Sequence, residues 1–307
     1  MLRSFAEIEK RVLELPRKTV AVPAAANTCI LEAAIEAHRR NLADFILIDS
    51  KSRLKKTLET LECDETILSS FEHIEEEDCV EAARLGVRLV REGKADLLGK
   101  GRLQTFELMK AVLDKEDGLR TEDSLLSDIM VIELPEQKEP RLIGMSDPAL
   151  CVLPSADELI RVTRNSVAVL HKLGITKPRV AILAALEVVK ESMPATAQAA
   201  DVARRINEGA VADCVADGPL SMDTACSARS AAIKKRSDSP VAGKADLLIV
   251  PNIEAGNILA KTIAVLTRAE YGHLVVGSKV PVVMSSRADS SESKFNSILL
   301  GLLAASA

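Results

Sequence analysis

Short, apolar, β-branched runs alternate along this chain with longer amphipathic stretches, and no other feature constrains the fold as strongly. Strand-like runs lie at 19–22, 45–48, 128–134, 180–183, 214–215, 247–250, 274–276 and 280–284. Several are apolar at consecutive positions, so both faces of the strand must be covered. The stretches between them repeat at helical spacing: Phe5, Ile8, Val12 and Leu15, then Val80, Ala83, Val87, Leu89 and Val90. Apolar strands separated by amphipathic helices predict an α/β fold with mostly parallel sheets. At 307 residues the chain exceeds one small core, so two α/β domains with a cleft between them are expected. The boundary is placed at 148–155, where Pro148 and Pro154 flank an apolar turn. Ser155-Ala-Asp-Glu158 then has capping-box spacing for a helix to Leu173. Domain I is expected over 1–150, completed by the C-terminal segment 285–307, and domain II over 151–284.

Composition excludes several classes of function. Hydrophobic residues make up 47% and charged residues 28%, enough for a sizeable core with a solvated surface. Aromatic residues are only 2%, with no Trp, which argues against stacking on single-stranded nucleic acid. A net charge of −5 gives no overall attraction to a polyanion, so an anionic ligand must be captured by a few placed cations and backbone donors. Residues 1–13 contain no apolar signal-peptide core, and the apolar tail 299–307 is too short to span a membrane. The six cysteines (29, 63, 79, 151, 214 and 226) form no CxxC pair. They read as reduced core thiols, with neither a disulfide frame nor a zinc site. A cytoplasmic protein without nucleic-acid or membrane partners is expected.

Familiar phosphate-binding and catalytic motifs are absent or imperfect. Gly93-Lys-Ala-Asp-Leu-Leu-Gly-Lys-Gly101 has one residue too many for a P-loop, and Gly101 stands where Ser or Thr would bind magnesium. No GxGxxG follows the first strand. His38, His73, His171 and His273 show no paired spacing, and no Gly-x-Ser-x-Gly elbow occurs. The informative region is C-terminal. Asp217-Gly-Pro-Leu-Ser-Met-Asp223, Ser239-Pro-Val-Ala-Gly-Lys-Ala-Asp246, Pro251-Asn-Ile-Glu-Ala-Gly-Asn257 and the segment from Gly277 to Ser290 are polar, glycine-containing turns. Each is expected at a strand C-terminus or a helix N-terminus, where open α/β sheets bind anionic ligands. A Ser-Arg pair at 286–287, leaving a strand for a helix, combines a hydroxyl, a guanidinium fork and free N–H groups. In the structural alternative, Ser286 or Ser290 is a helix N-cap and Arg287 a solvated charge. Lys100, Lys110 and Arg120 are further candidate cations.

Gly218-Pro-Leu, Ser239-Pro-Val-Ala-Gly243, Glu254-Ala-Gly-Asn257 and Ser286-Arg-Ala-Asp-Ser290 resemble the signature segments of the phosphate acetyl/butyryltransferases. The wording of the first and last is more similar to the butyryl branch. Val180-Ala-Ile-Leu183, Met193-Pro-Ala-Thr196, Gly93-Lys-Ala-Asp96, Lys100-Gly101 and Gly118-Leu-Arg-Thr121 also fit. The resemblance implies a two-domain fold similar to isocitrate and isopropylmalate dehydrogenases. It also implies acyl transfer between coenzyme A and inorganic phosphate, with coenzyme A as substrate or product and no metal or other cofactor. By the same resemblance Ser286 bonds the developing oxyanion and Arg287 pairs with phosphate. Ser239, Gly243, Glu254, Gly256 and Asn257, with Lys100 and Arg120, shape the substrate site, and the chain forms a homodimer or larger homo-oligomer. Acetyl-type relatives carry an aspartate seven residues after the serine, where this chain has Ser293. Glu292 and Asp289 are the replacement candidates, and each equally suits a helix first turn. Asn252 also replaces an aspartate common in the family. Two alternatives are a metal- and NAD-dependent decarboxylating dehydrogenase of the same fold and a non-catalytic protein that binds CoA or acyl phosphate. The first requires clustered aspartates that the sequence does not offer.

Overall fold

The computed structural model describes residues 1–121, 124–134 and 140–306. In chain order the elements are α1 (Phe5–Leu13), β1 (Lys18–Pro23), α2 (Thr28–Arg39), β2 (Ala43–Ile48), α3 (Lys51–Thr60), β3 (Glu72–Ile74), α4 (Cys79–Arg91), β4 (Leu97–Gly99) and α5 (Thr105–Val112). Next come β5 (Ser127–Leu134), β6 (Arg141–Ser146), α6 (Ala156–Lys172), β7 (Arg179–Leu183), α7 (Pro194–Arg205), β8 (Val215–Leu220), α8 (Met222–Cys226) and α9 (Ala228–Ile233). The chain finishes with β9 (Leu247–Ile249), α10 (Ile253–Leu266), β10 (Glu270–Val276), β11 (Val282–Val283) and α11 (Ser291–Ala304). Ala307, at the end of the expected apolar tail, lies outside the described residues.

Two compact units result, each an α/β unit with a mostly parallel sheet. The N-terminal unit comprises Phe5–Ser124 with Gly272–Ala307, and the central unit Met1–Ser4 with Leu125–Tyr271. The boundary expected at 150–151 falls within the central unit, between β6 and α6. The one expected at 284–285 falls within the N-terminal unit, just after β11.

In the N-terminal unit the strand order is β3-β2-β1-β4-β11-β10, parallel except for the β10–β11 pair. Successive strand residues face opposite sides. A side chain at Gly86 of α4 would meet Leu98, and one at Gly301 of α11 would approach Leu97, so these helices cover opposite faces of β4. Each fully buried leucine of this kind contributes roughly 1.5–3 kcal/mol of transfer free energy. The apolar C-terminal helix is consumed here: Ile298, Leu299, Leu300, Leu302 and Leu303 are buried where α11 packs on α1, α2 and β11.

In the central unit the order is β5-β6-β9-β7-β8, with β5 and β6 antiparallel and the remainder parallel. Asp246, buried at the entrance to β9, accepts two bonds of 2.7 Å from the Arg179 guanidinium and one of 3.0 Å from Arg141. It therefore ties the starts of β6, β7 and β9 together. The capping box at Ser155 forms as its spacing predicts: Ser155 Oγ accepts the Glu158 N–H while Glu158 accepts the Ser155 N–H.

Three strands escape the sequence pattern. β3 and β4 have only three residues each, and β6 carries Arg141, Gly144 and Ser146 among its apolar residues. The segment from Asp217 is corrected in the other direction. It reads as a turn, but residues 217–220 complete β8, and the turn begins at Ser221, the N-cap of α8. The cysteines are corrected too: all six are unbridged, but each is half-buried where a fully buried thiol was expected, with Cys226 packed against the core of the central unit. Among the described residues no helix is long and apolar enough to cross a membrane, and no cluster of His, Cys, Asp and Glu could hold a metal ion.

Candidate active site

The best-built polar site lies in the N-terminal unit, where the ends of β4 and β11 meet the start of α11. These strands pair in parallel, Leu98 with Val282 and Gly99 with Val283, so residues 100 and 284–285 leave the sheet side by side. The Lys100 N–H continues the ladder to the Val283 carbonyl at 3.0 Å. Gly101 then passes so close to β1 that a Cβ would stand 2.0 Å from the Ala24 carbonyl oxygen. Only glycine fits, and the segment is a strand end and not a P-loop. Arg102 follows and is anchored on Asp49, a fully buried carboxylate, at 3.2 Å.

Beyond β11 the chain turns tightly through 285–290. Asp289 is buried, and its Oδ2 accepts the Ser286 N–H at 2.6 Å, while the Asp289 N–H returns to the Ser286 carbonyl at 3.2 Å. The free N–H expected at Ser286 is thus occupied. Ser286 is half-buried and Arg287 is exposed. Ser290, and not Ser286, caps the helix, its Oγ accepting the Ser293 N–H at 3.1 Å. Ser293 is buried, with its hydroxyl 3.1 Å from that of Ser290, so it supports the cap. Glu292 is exposed in the first turn of α11, as a carboxylate answering the helix dipole would be.

Lys294, in the second turn of α11, is missed by motif reading. It is buried, and its Nζ donates to Ser285 Oγ at 2.9 Å and to the Ser286 carbonyl at 2.8 Å. One sequence signal was available: a cation this near a helix N-terminus opposes the macrodipole, so something else must compensate it. Lys100 is also buried. Burial, with the positive charges of Lys294 and Arg287, pushes its ammonium down to about 8, against the partial support of Asp289 and Glu107.

Lys110 and Arg120, the two other candidate cations, lie on other segments of this unit. Lys110 is exposed on α5, in a groove of about 480 Å³ between α4 and α5 that Phe106, Arg84 and Arg88 also line. Arg120 is half-buried in the turn at 118–121, which the Lys279 N–H ties to the Leu119 carbonyl at 2.8 Å.

The remaining signature turns belong to the central unit. Ser239 Oγ donates to Asp217 at 2.5 Å and accepts the N–H groups of Val241 and Ala242, so this serine braces its turn against β8. Arg236 meets the same Asp217 oxygen at 2.7 Å. Gly243 has φ +77°, and its N–H reaches the Thr224 carbonyl at 2.8 Å. Asn252 caps α10 by accepting the Ala255 N–H at 2.9 Å, the same cap an aspartate would make. Gly256 lets α10 approach residues 147–148 closely, Asn257 donates to the Pro148 carbonyl at 3.3 Å, and Glu254 is exposed. Asp147 accepts N–H bonds from Asp128, Ala149 and Leu150, yet burial, and then the neighbouring Asp128 carboxylate, push its own carboxyl up.

Residues 70–302 match the family model described as phosphate acetyl/butaryl transferase. A phosphate butyryltransferase of Clostridium acetobutylicum is 39% identical over 305 residues, covering 99% of either chain. A phosphate acetyltransferase of Thermotoga maritima is 37% identical, covering 95% of this chain and 97% of its own. The crystal structure of a branched-chain phosphotransacylase from Enterococcus faecalis superposes with a TM-score of 0.81 at 32% identity, covering 94% of this chain and 99% of that one.

Proposed function

Since the chain belongs to the phosphate acetyl/butyryltransferase family, we propose that it moves a short, butyryl-like acyl group between coenzyme A and inorganic phosphate. The reaction is acyl-CoA + phosphate ⇌ acyl phosphate + CoA. One observation in the fold carries this reading. The 285–289 loop presents a serine hydroxyl and a guanidinium next to buried cations, in the unit where the signature Ser-Arg pair leaves β11.

In the forward direction a phosphate oxygen attacks the thioester carbonyl carbon. The carbonyl oxygen becomes the tetrahedral oxyanion, the C–S bond breaks, and coenzyme A leaves as a thiolate that takes a proton. Ser286 donates its hydroxyl to the oxyanion, and Arg287 pairs with two phosphate oxygens through its planar fork. Asp289 already holds the Ser286 N–H, so proton exchange with the thiol falls to Glu292. Lys100 and Arg120 add positive charge for phosphate. In the central unit, the exposed side chains of Glu254 and Asn257 and the backbone turns at Ser239, Gly243 and Gly256 serve substrate binding. Coenzyme A is a substrate, and the scheme needs no further cofactor. The relatives at 37–39% identity are named phosphate butyryl- and acetyltransferases, so the dehydrogenase alternative is not favoured.

The substrates place this chemistry in the cytoplasm, and the working form is a homo-oligomer. The argument for assembly is α10, which exposes Ile258, Val265 and Leu266 while burying only Gly256 and Ala260. Val265→Glu is expected to lower the mass measured by light scattering, and an unchanged mass would remove α10 from the contact.

The activity is tested by release of free thiol from butyryl-, acetyl- and longer acyl-CoAs with and without phosphate. Phosphate-dependent release, fastest with butyryl-CoA, is expected. No such release from any of them would overturn the reading.

A further inference from the structure

Ser286 and Asp289 close a tight turn. The Asp289 N–H donates to the Ser286 carbonyl at 3.2 Å, and Arg287 and Ala288 are the two central residues. A turn closed in this way makes no use of the N–H of its first central residue. Among the described residues the Arg287 N–H meets no acceptor. The N–H groups on either side are directed elsewhere: that of Ser286 to Asp289 Oδ2 at 2.6 Å, and that of Ala288 toward Ser286 Oγ at 3.5 Å.

The other end of the same peptide is held from the buried side. Besides the Asp289 N–H, the Ser286 carbonyl accepts Lys294 Nζ at 2.8 Å, from a side chain only 3% exposed. Ser285 Oγ accepts the same ammonium at 2.9 Å, which fixes it against both residues. The Ser286–Arg287 peptide is trans, so its C=O and N–H point in opposite directions. With the carbonyl turned to buried Lys294, the N–H is turned away from it, at a residue that is exposed. An ammonium bonded to a carbonyl oxygen polarises the peptide and strengthens its N–H as a donor. A backbone N–H aimed and polarised in advance is the kind of group that stabilises an oxyanion in acyl transfer.

We propose that the Arg287 N–H is a second donor to the tetrahedral oxyanion, alongside the Ser286 hydroxyl, and that Lys294 is the positioning residue that aims and polarises it. The proposal rests on the acyl-transfer reading above and deepens it. Arg287 then serves two atoms, with its guanidinium on the phosphate and its backbone on the oxyanion.

Alanine and proline at 287 separate the two roles in the full chain. Both remove the guanidinium, but only proline removes the N–H, and proline is favoured at the first central position of a turn. With thiol release from butyryl-CoA measured at saturating phosphate, Arg287→Pro is expected to show a kcat at least about tenfold below that of Arg287→Ala. A second arm works through Lys294. Lys294→Met is expected to lower kcat at least about tenfold with the KM for phosphate unchanged, and Lys294→Arg to recover most of that loss. The methionine is expected to lower kcat again when Ser286 is already alanine, because the hydroxyl is not the only group that Lys294 serves. Denaturant melts show which variants fold. Lys294→Gln, which can donate without a charge, replaces the methionine if that variant does not, with the same further loss expected. Equal kcat in Arg287→Pro and Arg287→Ala, or no further loss in the Ser286→Ala background, overturns the donor. Thioester hydrolysis passes through the same oxyanion. Thiol release that ignores phosphate but keeps these losses therefore retains the donor and loses the transferase, whereas no thiol release at all removes both.

Discussion

Ser286 has its N–H bound by Asp289 and its carbonyl bound by Lys294, so of its polar groups the hydroxyl is the one positioned to meet a substrate. Ser286→Ala is expected to lower kcat by about 10²–10³-fold with little change in the KM for phosphate, the pattern of a lost oxyanion donor. Arg287→Ala is expected to raise the KM for phosphate by at least about tenfold, with only partial rescue by Lys, because a point charge cannot reproduce the fork. Steady-state kinetics on both variants checks these expectations, and equal losses in all parameters would contradict the division of roles. The sequence displayed Ser286 and Arg287 openly, since both sit in a contiguous signature. Lys294 was hidden because its partners, Ser285 and the Ser286 carbonyl, are reached only when α11 folds back on the loop. A separate residue sets acid stability. Burial alone would raise the Glu187 carboxyl, but bonds from Ser221, Thr224 and Lys234 outweigh it and bring the group down to about 2. A depressed carboxylate contributes stability above its ordinary value of 4.5, which is lost as pH falls toward about 2. Allowing for solvent screening of the half-exposed Lys234, the contribution is about 1–2 kcal/mol. Denaturant melts of Glu187→Gln should lack that portion of the acid-induced decline.

Single polar contacts join whole elements at two places. Asp246 gathers β6, β7 and β9, and removing its charge strands Arg179 and Arg141 at the starts of β7 and β6. Asp246→Asn is expected to cost about 3 kcal/mol, read as a lower denaturant midpoint with an unchanged slope. At the end of β4, Gly101→Ala would force a methyl into the Ala24 carbonyl and is expected to cost about 3 kcal/mol or more. Because Lys100 is the adjacent residue, phosphate binding should fail along with stability. Most of the longer strands were legible from continuous apolar runs, as was the α6 capping box from its spacing. What stayed hidden were short strands such as β4, whose identity comes from pairing with β1 and β11 and not from any local pattern. The segment at Asp217 misled for a related reason: Gly218 and Pro219 are ordinary turn residues, yet tertiary pairing of Asp217 and Leu220 with β7 keeps them in a strand.

For the molecule as a whole, family membership and the α/β class with mostly parallel strands agree with the sequence reading, and the activity proposed from them can be tested as one balanced reaction. Thiol release alone would not distinguish transfer from thioester hydrolysis. The decisive measurement is ³¹P NMR of the full chain with butyryl-CoA and inorganic phosphate, run alongside a thiol assay. The predicted result is an acyl phosphate resonance that grows in step with free thiol and shrinks on addition of excess coenzyme A. Thiol formed without acyl phosphate, or neither product, would contradict acyl transfer to phosphate.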